Sequence, residues 1–324
     1  MPGMSRCALL LAGLLLVAPG MLSPAHAQSY PSRLIRLIVP FPPGGGFDGI
    51  ARPFSEKLAL ALGQPVIIEN RPGATGNIGA EIVARAAPDG YTLLFANDFL
   101  ATNPAMYQSL PYDSVKDLLP ITKVGTVPMV LAIHPGVPAR NLKELVALSK
   151  NKPLNFGTPG VGTNSHFLGE MLNLEGVMRL VHVPYKGSGP AVADTVGGQI
   201  EIVITSLPSV APFMRAGKLR GIAVLGANRV PSVAELPTLA EEGIPGTQVD
   251  LWYGVFAPAG TPDAVIRRLN EASAQALAQP DLIERLKKAG YEVVTSTPEA
   301  LAAQLKADLQ RWERVVREAK IPKQ

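Results

Sequence analysis

The stretch "ITKVGTVPMVLAIHP", residues 121–135, is long, apolar and extended, and it interrupts an otherwise regular pattern. Before it, short apolar runs at 33–39, 65–69 and 91–96 alternate with helix-like segments at about 48–62 and 77–87. After it, runs at 154–157, 179–183, 200–204 and 219–225 alternate with helix-like segments at about 142–150, 165–173, 190–197 and 209–216. Strand alternating with helix predicts parallel sheets covered on both faces. A second long apolar run, "VDLWYGVFAPAG" at 249–260, closes the second block. The two long runs read as strands that cross from one lobe to another and back. The expected division is therefore 28–128 plus 252–324 for lobe 1 and 129–251 for lobe 2. The fold class is α/β, two-lobed, each lobe a mainly parallel sheet flanked by helices.

The C-terminal part reads as helical. Thr261-Pro262 and Thr297-Pro298 each offer an N-cap followed by proline at the first helical position. Leu301, Leu305, Leu309, Trp312 and Val316 form one apolar stripe, expected to pack on the first lobe with Trp312 as core rather than cofactor contact.

The chain opens with Arg6, an apolar run from Cys7 to about Ala18, and an Ala25-His26-Ala27 cleavage signal, which together predict a cleaved secretory signal peptide at 1–27. Removing 27 of 324 residues leaves 297, with 29 Lys and Arg against 26 Asp and Glu. The sole cysteine, Cys7, would leave with the signal. The exported chain is then disulfide-free, and no cysteine follows the cut to carry a lipid anchor. The mild charge, without basic runs or interleaved aromatics, argues against a nucleic acid partner. No later stretch is long and apolar enough for a transmembrane helix. With no cluster of metal-ligand residues, the expectation is an exported, soluble monomer without metal or cofactor.

Three loops carry chemistry. In "IVPFPPGGGFD" (38–48), a strand runs into Pro43, Gly44, Gly45, Gly46, Phe47 and Asp48 before a helix. Consecutive glycines leave backbone N–H groups uncovered, and a helix N-terminus adds its own, so the loop suits an anion. No Gly-Lys-Ser/Thr and no G-x-G-x-x-G follows, which moves nucleotides down and a carboxylate up. Asp48 either caps the helix or, facing the cavity, binds an ammonium group. "FGTPGVGTNSH" (156–166) repeats the layout with Thr158, Gly160, Gly162 and Thr163. Asn164 or Ser165 is an alternative cap there, and His166 is either structural or a ligand contact. In "VPYKGSGPAVADTVGGQIEI" (183–202), Tyr185 ends a strand near a cleft, and Lys186 is either solvated or a carboxylate partner. "ENRPGATGN" (69–77) reads mainly as a Pro-Gly turn.

These stretches, with "PDGYTLLFAN", "MRAGKLRGIAV", "LPTLAEEG" and "WYGVFAPAGTP", occur in one order along the chain. In that order the chain resembles the Bug family of periplasmic solute receptors, the binding proteins of tripartite tricarboxylate transporters. The resemblance implies a Venus-flytrap fold that holds a small organic carboxylate between its lobes and delivers it to the transporter's membrane subunits. It brings Asn97, Thr205 and Ser206 into the expected site, with the segments 42–48 and 158–166. Phe47 and "IVITS" (202–206) depart from the family pattern and bear on ligand choice. Amino acids, dicarboxylates, citrate-like acids and aromatic monocarboxylates all stay open. Two other readings are a sensory receptor that docks on a signalling partner and a small-acid hydrolase. The hydrolase lacks a G-x-S-x-G elbow, and beyond the signal the histidines at 134, 166 and 182 are widely spaced.

Overall fold

The computed structural model describes residues 30–44, 46–244, 249 and 251–324. The expected signal peptide and Gly45 lie outside the described residues. Two sheets carry the fold. The first takes β1 (Ile35–Val39), β2 (Val66–Asn70), β3 (Thr92–Asn97), β4 (Leu118–Val127), β10 (Leu251–Pro258) and β11 (Glu292–Val293). The second takes β5 (Met129–Ile133), β6 (Leu154–Thr158), β7 (Leu180–Pro184), β8 (Ile202–Ser206) and β9 (Arg220–Val224).

The long run at 121–135 is thus not one strand. It splits at Pro128, with β4 in one sheet and β5 in the other. Proline has no amide hydrogen to give a ladder, so a break there leaves no donor unpaired. Its carbonyl is used: Leu207 N donates to Pro128 O at 2.8 Å.

The sheets share one strand order, β2-β1-β3-β10-β4 and β7-β6-β8-β5-β9, with β11 added at the edge of the first. Three neighbouring strands in each are parallel, and the fourth, β10 or β5, is antiparallel to both its neighbours. The reversed strands are the ones that arrive from the other sheet. Their first residues oppose the last residues of a parallel strand: Met129 pairs with Ser206, and Tyr253 with Asn97.

Helices cover both faces. α1 (Gly46–Leu62) buries Ile50, Phe54, Leu58 and Leu62, one residue per turn, beneath the first sheet. α2 (Asn77–Ala84), α3 (Phe99–Met106), α8 (Asp263–Leu277), α9 (Pro280–Lys288) and α10 (Pro298–Glu318) complete that half. α4 (Leu142–Asn151), α5 (Asn164–Leu174), α6 (Ser188–Val196) and α7 (Leu207–Arg215) belong with the second sheet. Among the described residues no helix is long and apolar enough to cross a membrane.

The two expected threonine caps part ways. Thr297 Oγ1 accepts from Ala300 N at 3.2 Å and caps α10. Thr261 instead turns its hydroxyl onto Pro258 O at 2.8 Å, and Pro262 holds the cap position of α8 without a side-chain bond. The α10 stripe also reaches farther than expected. Leu301, Leu305 and Val316 are buried and Leu309 is half-buried. Trp312 is fully buried, and its ring lies 5.2 Å from that of Phe167 on α5, so it ties the C-terminal helix to the second half. Among the described residues its Nε1–H has no hydrogen-bond partner. Trp312→Ala should therefore cost about 3–5 kcal/mol in urea unfolding. Trp312→Phe should cost clearly less, because it also removes an unpaired buried donor; equal losses would contradict this packing.

Candidate functional site

Parallel strands deliver their carboxyl ends, and the N-termini of the helices that follow, to one edge of a sheet. Here the two edges face each other across a cavity of about 530 Å³. From the first half it is lined by Phe41, Phe47, Thr75, Asn97, Asp98, Phe99 and Thr102, with Leu251 and Tyr253 from the reversed strand β10. From the second half come Met129, Pro159 and Gly162–Ser165, then Gly187, Ser188, Thr205 and Ser206. No Lys, Arg or His is among these lining residues. Asp98 is the one carboxyl group among them.

Of the residues expected from sequence, Phe47, Asn97, Gly162, Thr163, Thr205 and Ser206 reach this cleft. Pro43, Gly44, Asp48, Thr158, Gly160, His166 and Tyr185 are not among its lining residues. Gly46 opens α1, and Gly45 is outside the described residues.

The reasons are visible in the hydrogen bonds. Asp48 is buried and spoken for: its carboxylate accepts from Gly44 N at 2.8 Å, Arg52 Nε at 2.7 Å and Asn70 Nδ2 at 3.1 Å. Burial alone would raise its pKa, but these three donors hold it below the usual range. It binds its own loop's amide, not an ammonium group in the cavity. The glycine loop acts here through Phe41 and Phe47, whose rings stack at 4.2 Å between centroids.

Tyr185 OH donates to Asp194 Oδ2 at 2.7 Å, and burial with that contact pushes the phenol up to about 12. Lys186 is exposed and off the cleft. Thr158 Oγ1 lies 2.7 Å from His182 Nε2. His166 Nδ1 accepts from Gly162 N at 3.2 Å, and its ring stacks on His182 at 3.8 Å. The two imidazoles brace the glycine loop from behind. Gly162 has φ +76, and a Cβ there would meet Met106 Cγ at 2.9 Å, so glycine is required both for the turn and for the approach of the other half.

The cap of α5 is Thr163, not Asn164 or Ser165: its Oγ1 accepts from His166 N and donates to Gly160 O at 2.8 Å. That leaves Asn164 free. Asn164 lines the cleft, is 5% exposed, and among the described residues neither its amide nitrogen nor its oxygen has a hydrogen-bond partner. Thr75 is a second residue that the Pro-Gly turn reading missed. It has φ +53, a costly conformation for a β-branched residue. Asn103 Nδ2 on its carbonyl at 3.0 Å and Tyr107 OH near its hydroxyl at 3.1 Å hold it there. Neither Asn164 nor Thr75 carries a local sequence signal of this role. Among the described residues no group of three or more His, Cys, Asp or Glu side chains could hold a metal ion.

Comparison with known proteins agrees with the geometry. A family model described as "Tripartite tricarboxylate transporter family receptor" matches residues 50–321. Protein BugT of Bordetella pertussis is 38% identical over 310 residues, 94% of this chain and 95% of that protein. An R. palustris protein solved with adipate is 32% identical with a TM-score of 0.77, covering 91% of this chain and 100% of the other. MatC from Rhodopseudomonas palustris with bound malate is 34% identical with a TM-score of 0.72, covering 89% and 100%.

The histidine pair yields a test. Burial, then the neighbouring His182, lowers His166 to about 3, and burial lowers His182 to about 4. Both imidazoles should stay neutral in the folded protein down to pH ~5.5, read from their ¹⁵N shifts. Since the unfolded chain takes up these protons near the ordinary 6.5, the stability they contribute is full above that pH and is lost as pH falls toward 4. A midpoint near the ordinary value for either ring would contradict the buried stack.

Proposed function

Because the chain belongs to the tripartite tricarboxylate transporter receptor family, in which Bug proteins are its relatives, we propose that it captures a small organic carboxylate between its two halves and delivers it to the membrane subunits of such a transporter. The family is one of receptors, not of enzymes. In this reading the signal peptide is cleaved after Ala27 and the receptor works in the periplasm as a monomer. Lobe 1 is 28–128 with 252–324, lobe 2 is 129–251, and ligand closes them about Pro128 and the return segment before β10.

The observation that carries the reading is Asn164. A buried side-chain amide without partners costs about 1–3 kcal/mol unless something bonds to it. It sits at the first residue of α5, where backbone N–H groups and the helix dipole favour an anion. Ser165 and Ser188 stand at the starts of α5 and α6 on the same wall, and Thr205 and Ser206 end β8 beside them. With no cationic side chain on the lining, helix N-termini, hydroxyls and one amide are left to hold the charge. Phe41, Phe47, Phe99 and Tyr253 oppose them and suit an apolar body. Adipate and malate in the two solved relatives belong to the same chemical class.

Calorimetry with short dicarboxylates and apolar monocarboxylates, each beside its methyl ester, tests the reading. Acids should bind and esters should not. Asn164→Leu should weaken the best acid roughly tenfold to a hundredfold, the loss of a hydrogen bond to a charged acceptor. Lys186→Ala should change it by less than about fivefold, as for an exposed charge. An ester that binds as well as its acid would overturn the proposal.

A further inference from the structure

The two walls of the cleft differ in chemistry. The second half contributes mainly small polar groups, with Met129 and Pro159, whereas the first contributes four aromatic rings and Leu251 together with Asp98, Thr75, Asn97 and Thr102. Phe47 meets Tyr253 edge-on at 5.1 Å, and Phe41 meets Phe99 edge-on at 6.0 Å. Asp98 follows β3 and precedes α3, and it is 6% exposed. It makes no side-chain cap on α3. Among the described residues, no other residue's hydrogen bond to its carboxyl is found, in contrast to the three donors on Asp48.

The surroundings deepen its isolation. Asp308 on α10 is a second buried carboxyl nearby, engaged with Trp252 Nε1 at 2.9 Å and with Arg311 at 3.6 Å. Tyr253 on β10 faces the same region, and burial keeps its phenol protonated. A buried carboxyl whose hydrogen bond comes only from its own amide, with no cation beside it, is unfavourable in the charged form unless a ligand supplies a positive partner.

We propose that Asp98 is a ligand subsite that accepts hydrogen bonds from a protonated amine, so that the acid taken by this receptor bears an amino group beside its carboxylate and an apolar or aromatic body. This rests on the carboxylate reading of the cleft. The ammonium group is the cation that the lining lacks. Burial and then Asp308 push Asp98 well above the usual carboxylate range, toward the protonated form. An incoming ammonium ion reverses that balance: Asp98 ionises and its proton passes to solvent.

Matched pairs of probes decide the point: L-phenylalanine and 3-phenylpropanoate, 4-(aminomethyl)benzoate and 4-methylbenzoate, 2-aminoadipate and adipate. In at least one pair the amino member should bind about tenfold tighter or more, as for a desolvated charge pair. Its binding should release protons, read by calorimetry in buffers of different ionisation enthalpy. Asp98→Asn should remove the preference by weakening the amino member about tenfold or more relative to its amine-free partner. Its melting temperature, and the wild-type comparison by itself, guard against a folding defect. Equal or tighter binding of every amine-free member overturns the inference and leaves the carboxylate receptor standing, as does an Asp98→Asn variant that weakens both members alike. Failure of all six acids overturns both.

Discussion

A strand that enters a sheet at the edge where its neighbours end must run backwards through it. That constraint organises the molecule. β4 finishes at the cleft, Pro128 breaks the ladder, and β5 starts at the cleft side of the other sheet, so it opposes β8 and β9. β10 makes the same entry on return, with Tyr253 opposite Asn97. The reversed strands therefore begin where the parallel strands end. The cavity receives strand ends, strand starts and helix N-termini together, all fixed by ladder hydrogen bonds.

The lack of cationic lining has an energetic logic. A lysine or arginine in the cleft would have to be desolvated when an anion binds, and without one it would need a partner of its own. Helix N-terminal amides carry only partial charge and stay in place through the helix ladder, so they meet an anion with little reorganisation. What remains to be matched is specific: the amide of Asn164, unpartnered among the described residues, and the cleft-lining carboxyl of Asp98.

Much of the fold was legible in the sequence because buried parallel strands appear as short apolar runs and capped helices announce their starts. α3 was not, since "FLATNPAM" is buried almost all round and contains Pro104, leaving no polar face and hence no helical period. The sequence reading places the lobe boundary at 128/129, but the run at 121–135 reads as one crossing strand because the residues on both sides of Pro128 are equally buried. The site was only half legible. Glycine loops and strand ends marked the edge that faces the cavity. Which atoms are free could be read locally only for Asp48, whose partner Arg52 stands one helical turn on; Thr158 is occupied by His182 from the neighbouring strand and Tyr185 by Asp194 on the next helix, partners brought by pairing and packing. Asn164 became available only because Thr163 took the cap.

The shared strand order of the two sheets, without detectable sequence repetition, also separates their futures. The aromatic wall is written in residues 41–99 and 251–253, while the polar wall is written in 159–206. A substitution at Phe41 or Phe99 reshapes the room for a ligand's body and leaves the amides at the start of α5 where they were. Drift toward a new substrate can then proceed one wall at a time, with the grip on the carboxylate inherited intact while the opposite surface is rewritten.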